Sequence, residues 1–197
     1  IEHPSVLETV KRLETEGLEV IRLKPQRDGT VSLCDLENAL SSDTVMVSMM
    51  LVNNETGAVL PVEDAVKLTK SIAPVALFHC DAVQGYGKLP INVKRLGCDL
   101  MSASGHKIHG PKGIGFLYIK KGVHIPPFIT GGGQESGMRS GTEPTPLIMG
   151  LMGAVNELPN AETQLKKQQE LFCFAAEKLS ALKGTVINSP QGCLPYI

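Results

Sequence analysis

The chain has 197 residues, 42% of them hydrophobic and 20% charged, which is enough apolar material for one full domain and part of a second. Nineteen Lys+Arg against 20 Asp+Glu leave a formal net charge of -1, so no electrostatic footprint marks a partner of nucleic acid or of an anionic membrane. No apolar run reaches the roughly 18 residues of a membrane span and the first residues, IEHPSVLETV, lack signal-peptide patterning, so a cytoplasmic setting is the expectation.

Residues 5–16 place Val6, Leu7, Val10 and Leu13 on one helical face, and after Gly17 the run LEVIRL at 18–23 predicts a strand. Residues 32–41 read as a helix, followed by a strand rich in apolar residues over 44–51. Pro61 suits a first helical turn, and Val62, Ala65, Val66 and Ile72 continue that helix. Three more strands are predicted at 75–81, 99–104 and 114–120. An almost wholly apolar helix covers 146–158, and an amphipathic one covers 162–182 with Leu165, Phe172, Ala175, Ala176 and Leu179 on a face. Strands apolar on both faces that alternate with helices imply an α/β fold, a three-layer α/β/α domain with a mostly parallel sheet. The polar stretch near Pro159 and Asn160 marks the expected boundary between a large domain, 1–159, and the start of a smaller one, 160–197.

The five cysteines (Cys34, Cys80, Cys98, Cys173 and Cys193) are widely spaced and form no C-x-x-C pair, so they read as free thiols, mostly buried, with neither a disulfide framework nor a zinc site. Neither end of the chain looks like a domain boundary, and a fragment of a longer protein is expected.

In an open parallel sheet, ligands bind beyond the carboxyl ends of the strands. Four polar segments stand there: NNETG at 53–57, DAVQ at 81–84, SGHK at 104–107 and the glycine-rich stretch at 131–144. Lys107 follows a buried strand among Gly105, Gly110 and Gly113, where a backbone can pass close to a ligand and a lysine can act as a Schiff-base nucleophile. Alone, G-H-K reads first as a surface-loop lysine. Asp81 ends VALFHCD, where a buried carboxylate needs a cationic partner or caps the next segment. His3 fits a loop or core histidine, a metal ligand, or a ring stacked on a flat cofactor. The triple glycine matches no nucleotide-binding pattern, but Arg139, Ser140 and Thr142 beyond it suit a phosphate held at a subunit boundary.

In order, EH at 2–3, NNETG, HCDAVQ, KLPINV, DLMSASGHKIHGPKGIGFLYI and GGGQESGMRSGT resemble the cysteine desulfurases, the NifS/IscS-like class V aminotransferases that use pyridoxal 5′-phosphate (PLP). The resemblance covers nearly the whole chain. It implies that Lys107 forms the Schiff base with the cofactor, Asp81 pairs with the pyridine nitrogen, Gln84 bonds the ring hydroxyl and His3 stacks on the ring. Asn54 matches the asparagine beside the ring and the substrate carboxylate, Ser104 and His106 match phosphate ligands, and Thr142 matches the threonine that reaches the phosphate of the partner subunit's cofactor. A homodimer acting on L-cysteine to leave L-alanine, with a possible sulfur-acceptor protein, is the implied setting. Lys107 and His3 are its implied catalytic residues.

The family's threonine-containing phosphate loop, its persulfide-forming cysteine and its carboxylate-clamping arginine have no counterpart in this sequence. The chain by itself is therefore expected to be inactive. Selenocysteine lyase, which shares the framework, and a non-catalytic dimerisation or binding fragment are the alternatives the sequence leaves open.

Overall fold

The computed structural model describes residues 1–196. Its elements follow in the order α1 (Pro4–Thr15), α2 (Leu33–Ala39), β1 (Met46–Met50), α3 (Val62–Ile72), β2 (Leu77–Asp81), α4 (Val93–Leu96), β3 (Leu100–Ser104), β4 (Gly115–Ile119), α5 (Thr145–Asn156) and α6 (Ala161–Ser180). The strands form one sheet in the order β1-β2-β3-β4. The first three run parallel, and β4 returns antiparallel along β3. This is the α/β fold that the alternation of periods predicts.

Period-two alternation divides β2 between two environments. Phe78 and Cys80 are fully buried in a core with Met49, Val62, Val66 and Met101, so α3 lays its apolar stripe on this face. His79 and Asp81 point the other way. There Ser48 Oγ lies 2.8 Å from His79 Nδ1, and Ser102 Oγ lies 3.1 Å from Nε2, a polar rung across β1, β2 and β3. Burial pushes the His79 imidazole below its ordinary value, against a smaller opposing pull from Asp81.

One element differs from expectation. Residues 18–23 form no ladder with any described residue, and Leu18 and Ile21 are exposed. A strand exists only through its neighbour, and here no partner edge meets the segment. Conversely, α4 escapes periodicity because VKRL is a single turn. It is defined by its ends: Asn92 Oδ1 accepts from Lys94 N and Arg95 N, and Gly97 closes it in the left-handed conformation.

Asp99 locks the second layer to the sheet. It is 3% exposed, accepts from Phe78 N at 2.9 Å and lies 2.6 Å from Lys70 Nζ and 3.4 Å from Lys120 Nζ. Burial alone would raise its carboxyl, but the Lys70 hydrogen bond, Phe78 N and the two ammonium charges outweigh it and hold the group below the usual carboxylate range. Asp99→Ala leaves the Phe78 amide without a partner and removes the carboxylate from Lys70, which keeps only Ala76 O, so a loss of about 2 kcal/mol in urea unfolding is expected. Because the folded value is depressed, this stabilisation is present above the ordinary carboxylate pKa and is lost as pH falls through the lowered one. The gap between wild type and variant should therefore close in acid, and a gap that stays constant down to that range would refute this account of Asp99.

Candidate active site

Parallel order brings the carboxyl ends of β1, β2 and β3 to one edge of the sheet. Asp81 is the last residue of β2 and pairs in register with Ser102, two residues before the end of β3. Lys107 follows on a one-turn 3-10 helix, Gly105–Ile108. The two residues thus leave neighbouring strands at the same edge.

Asp81 is 6% exposed, and its Oδ1 accepts from Val83 N at 2.9 Å. A carboxylate so placed favours a cation as its further partner. Gln84 is buried on the turn that follows, where Lys88 Nζ donates to its Oε1 at 3.0 Å.

The turn carrying Lys107 is fixed by backbone. Gly105 N donates to Ile114 O, and Gly110 N donates back to Gly105 O, both at 2.9 Å. A Cβ on residue 110 would itself lie 2.9 Å from Gly105 O, so a side chain there would force the turn apart. His109 closes the turn at φ 64, a left-handed conformation that costs a non-glycine residue about 1 kcal/mol. Lys107 is half-buried and makes no hydrogen bond among the described residues, leaving its amine free for chemistry. Beside it, Ser104 Oγ and His106 Nδ1 lie 2.6 Å apart, a hydroxyl and imidazole pair suited to an anion.

His3 caps α1: its Nδ1 accepts from Ser5 N at 3.2 Å and lies 2.8 Å from Ser5 Oγ. A backbone N–H can only donate, so the proton of the neutral ring sits on Nε2. The segment is hooked to the sheet on its other side, where Met50 N donates to Glu2 Oε1 at 2.6 Å and Asn53 Nδ2 to Ile1 O at 3.2 Å. Met50 is the register partner of Asp81, so the hook seats residues 1–3 at the same edge. Burial pushes the Glu2 carboxyl up, Met50 N opposes this, and the nearby Asp81 charge adds to the rise.

Asn54 stands half-buried on a turn built by its neighbour: Asn53 Oδ1 accepts from Glu55 N, Thr56 N and Thr56 Oγ1. Thr142 is exposed on the segment after the glycine-rich loop, and no hydrogen bond among the described residues joins it to the β2 and β3 groups. Sequence reasoning missed Asn53, Glu2 and Lys88 as supports. The N-N-E-T string carries the Asx-turn signature that would have found Asn53. Lys88 has no such signal, because it meets Gln84 only through the two successive turns over 82–89.

Three of the five thiols, Cys80, Cys98 and Cys193, are buried, and burial pushes each of them above the ordinary cysteine value. Thiols in that state are poor nucleophiles. Cys34 and Cys173 are exposed.

The donor set fits PLP: a buried carboxylate for a protonated ring nitrogen, an amide for the ring hydroxyl, an unclaimed amine for the aldehyde, and a hydroxyl and imidazole pair for phosphate. Comparison with known proteins agrees. The chain is 46% identical over 172 residues to a cysteine desulfurase of Nostoc sp., covering 87% of this chain and 42% of that protein. It is 50% identical over 153 residues to a mitosomal cysteine desulfurase of Trachipleistophora hominis, covering 77% and 34%. It is also 46% identical over 175 residues to the cysteine desulfurase IscS of Rickettsia prowazekii, covering 88% and 42%. Among solved structures, a NifS-like protein superposes with a TM-score of 0.89 at 42% identity, over 99% of this chain and 54% of that one. A structure of SspA in complex with cysteine gives 0.80 at 40% identity, over 89% and 50%. The chain therefore spans about half the length of these structures or less. Together with an aminotransferase class-V profile that matches residues 1–195, the fold and the edge that gathers Asp81 and Lys107 establish that this chain belongs to the PLP-dependent class V aminotransferase family.

Proposed function

We propose that the chain is the cofactor-holding part of a cysteine desulfurase, which removes sulfur from L-cysteine to leave L-alanine. The observation that carries the reading is the placement of Asp81 at the end of β2 and of Lys107 on the turn that follows the neighbouring parallel strand β3, at one edge of the sheet, with relatives named for this activity. Residues 1–159 would form the cofactor-binding domain and residues 160–197 the start of the smaller one. α6 begins at Ala161 behind an Asn160 cap. Among the described residues no helix is long and apolar enough to cross a membrane.

When bound, PLP supplies the electron sink that stabilises negative charge at the substrate Cα. The chain's own residues do the rest. Lys107 would hold the cofactor covalently and, with its amine free, would take the Cα proton at Nζ. Asp81 keeps a proton on the ring nitrogen by ion pairing. His3 covers a ring face and presents Nε2–H, its Nδ1 being held by Ser5. Gln84 donates to the ring hydroxyl. Ser104 and His106 receive the phosphate, and Asn54 borders the ring and the substrate carboxylate. Thr142, exposed on its loop, would serve the phosphate of a second subunit in a homodimer. A cysteine thiolate would bond to the substrate sulfur as the Cβ–S bond breaks, the bonding pair staying with the carbon that is protonated to give alanine, and a sulfur-acceptor protein would then take the sulfur onward. Cys80, Cys98 and Cys193 are poor candidates for that thiolate because they are buried and raised. The IscS relatives favour iron–sulfur cluster assembly as the destination.

The test is reduction of the PLP-loaded protein with borohydride, followed by peptide mass spectrometry. Label fixed at Lys107 is the expected result, and label at Lys112 or Lys88 would overturn the assignment.

A further inference from the structure

Lys88 has no role in the chemistry above, yet it is half-buried at the same edge. Its Nζ lies 3.0 Å from Gln84 Oε1. We propose that Lys88 is a positioning residue that fixes the Gln84 amide with its NH2 group toward the hydroxyl of the cofactor ring, an inference that rests on the reading of Gln84 as the partner of that hydroxyl.

An ammonium has hydrogens to give and no lone pair, so the end of the amide that faces Lys88 is the carbonyl oxygen. The opposite end, Nε2, then points away with two N–H groups, and it meets no acceptor among the described residues. Gln84 is 9% exposed, so a flipped amide would set its NH2 against the ammonium and bring a lone pair to the ring hydroxyl. Lys88 removes that alternative.

The backbone makes the pairing possible. Tyr86 N donates to Ala82 O at 2.7 Å and Leu89 N to Gly85 O at 2.9 Å, two successive turns that bring Lys88 back beside Gln84. Gly87, at φ 75, lets this turn lie against the Lys107 turn; a Cβ there would sit 2.8 Å from Ile108 Cγ2. The Tyr196 ring lies 5.7 Å from Nζ, a further contact that favours the ammonium at this place. Burial, and after it the charge of Lys107, pushes Lys88 below the ordinary lysine range.

The experiment uses the intact PLP-loaded protein as wild type, Lys88→Met, Lys88→Arg, Gln84→Ala and the double variant Lys88→Met/Gln84→Ala. The readouts are the visible absorption spectrum, the dissociation constant for PLP and the melting temperature without PLP. Lys88→Met should alter the ratio of the visible bands and weaken PLP by about 3- to 10-fold, the span of one neutral hydrogen bond. Arginine, also a pure donor, should restore both. On the Gln84→Ala background Lys88→Met should change neither, because the group through which it acts is gone. An equal effect on that background overturns the proposal and leaves Lys88 acting by charge alone. A shifted Gln84→Ala with a silent Lys88→Met overturns the proposal but not the reading of Gln84. A silent Gln84→Ala overturns both. A Lys88→Met that lowers the melting temperature while leaving the spectrum and PLP affinity intact makes the contact structural and also overturns it.

Discussion

Lys107→Ala in the intact enzyme is expected to abolish the formation of alanine and sulfide from cysteine, by about 10⁴-fold or more. Two functions disappear with one side chain: the covalent hold on the cofactor and the base that takes the Cα proton, each worth several orders of magnitude. Folding should be spared. Lys107 Nζ makes no hydrogen bond among the described residues, and the turn that carries it is held by the Gly105 and Gly110 amides. Cofactor should still associate non-covalently through the groups that remain at Asp81, Gln84, Ser104 and His106. Lys107→Arg offers no rescue, since a guanidinium does not give up its proton to become a nucleophile or base. Steady-state turnover with saturating PLP is the measurement. Activity in Lys107→Ala within tenfold of wild type would remove Lys107 from the reaction and point to another amine.

The elements legible in the sequence are those whose residues see a repeating environment. β2 and β3 are short apolar runs bounded by polar residues at the binding edge, and α3 repeats its buried face at Val62, Ala65, Val66 and Thr69. Asp81 and Lys107 could be assigned to adjacent strand ends because both close such runs. The run at 18–23 misled because β-propensity describes a half-buried pleated surface, and only a neighbouring strand supplies one. The one-turn helix under Lys107 was invisible for the opposite reason: its geometry comes from close backbone approach at Gly105 and Gly110, which has no periodicity.

The supports of the site were the least legible part. Glu2 acts on β1 from 48 positions away in sequence, and Asn53 reaches back 52 positions to Ile1. Neither contact leaves a local pattern. Lys88 and Gln84 are four apart, but they meet only because two successive turns fold residues 82–89 with Gly87 in the left-handed conformation, and such turns leave no periodic pattern. Family resemblance could name the residues expected at the cofactor without showing what holds them.

Asp81→Ala should separate chemistry from stability. A preorganised carboxylate opposite a protonated ring nitrogen acts on charge that develops during the reaction, so its removal is expected to lower kcat by about 10²- to 10³-fold. The structural loss is small by comparison. Asp81 gives up one hydrogen bond from Val83 N, worth about 1 kcal/mol, and its departure also relieves the charge beside Glu2. That relief has a sign. Glu2 is raised in the folded protein by burial and then by Asp81, so its contribution to stability is full below the ordinary glutamate pKa and is lost as pH rises through the raised value. With Asp81 removed the rise is smaller and less is lost, so the apo variant should approach wild type in melting temperature as pH increases through that range. Turnover reports the ring partner, and the pH dependence of melting without PLP reports the Glu2 neighbour. Normal turnover in Asp81→Ala would show that the ring nitrogen has another partner, and a melting gap that widens with pH would show that Glu2 and Asp81 do not share the charge environment that their positions at the end of β1 and β2 imply.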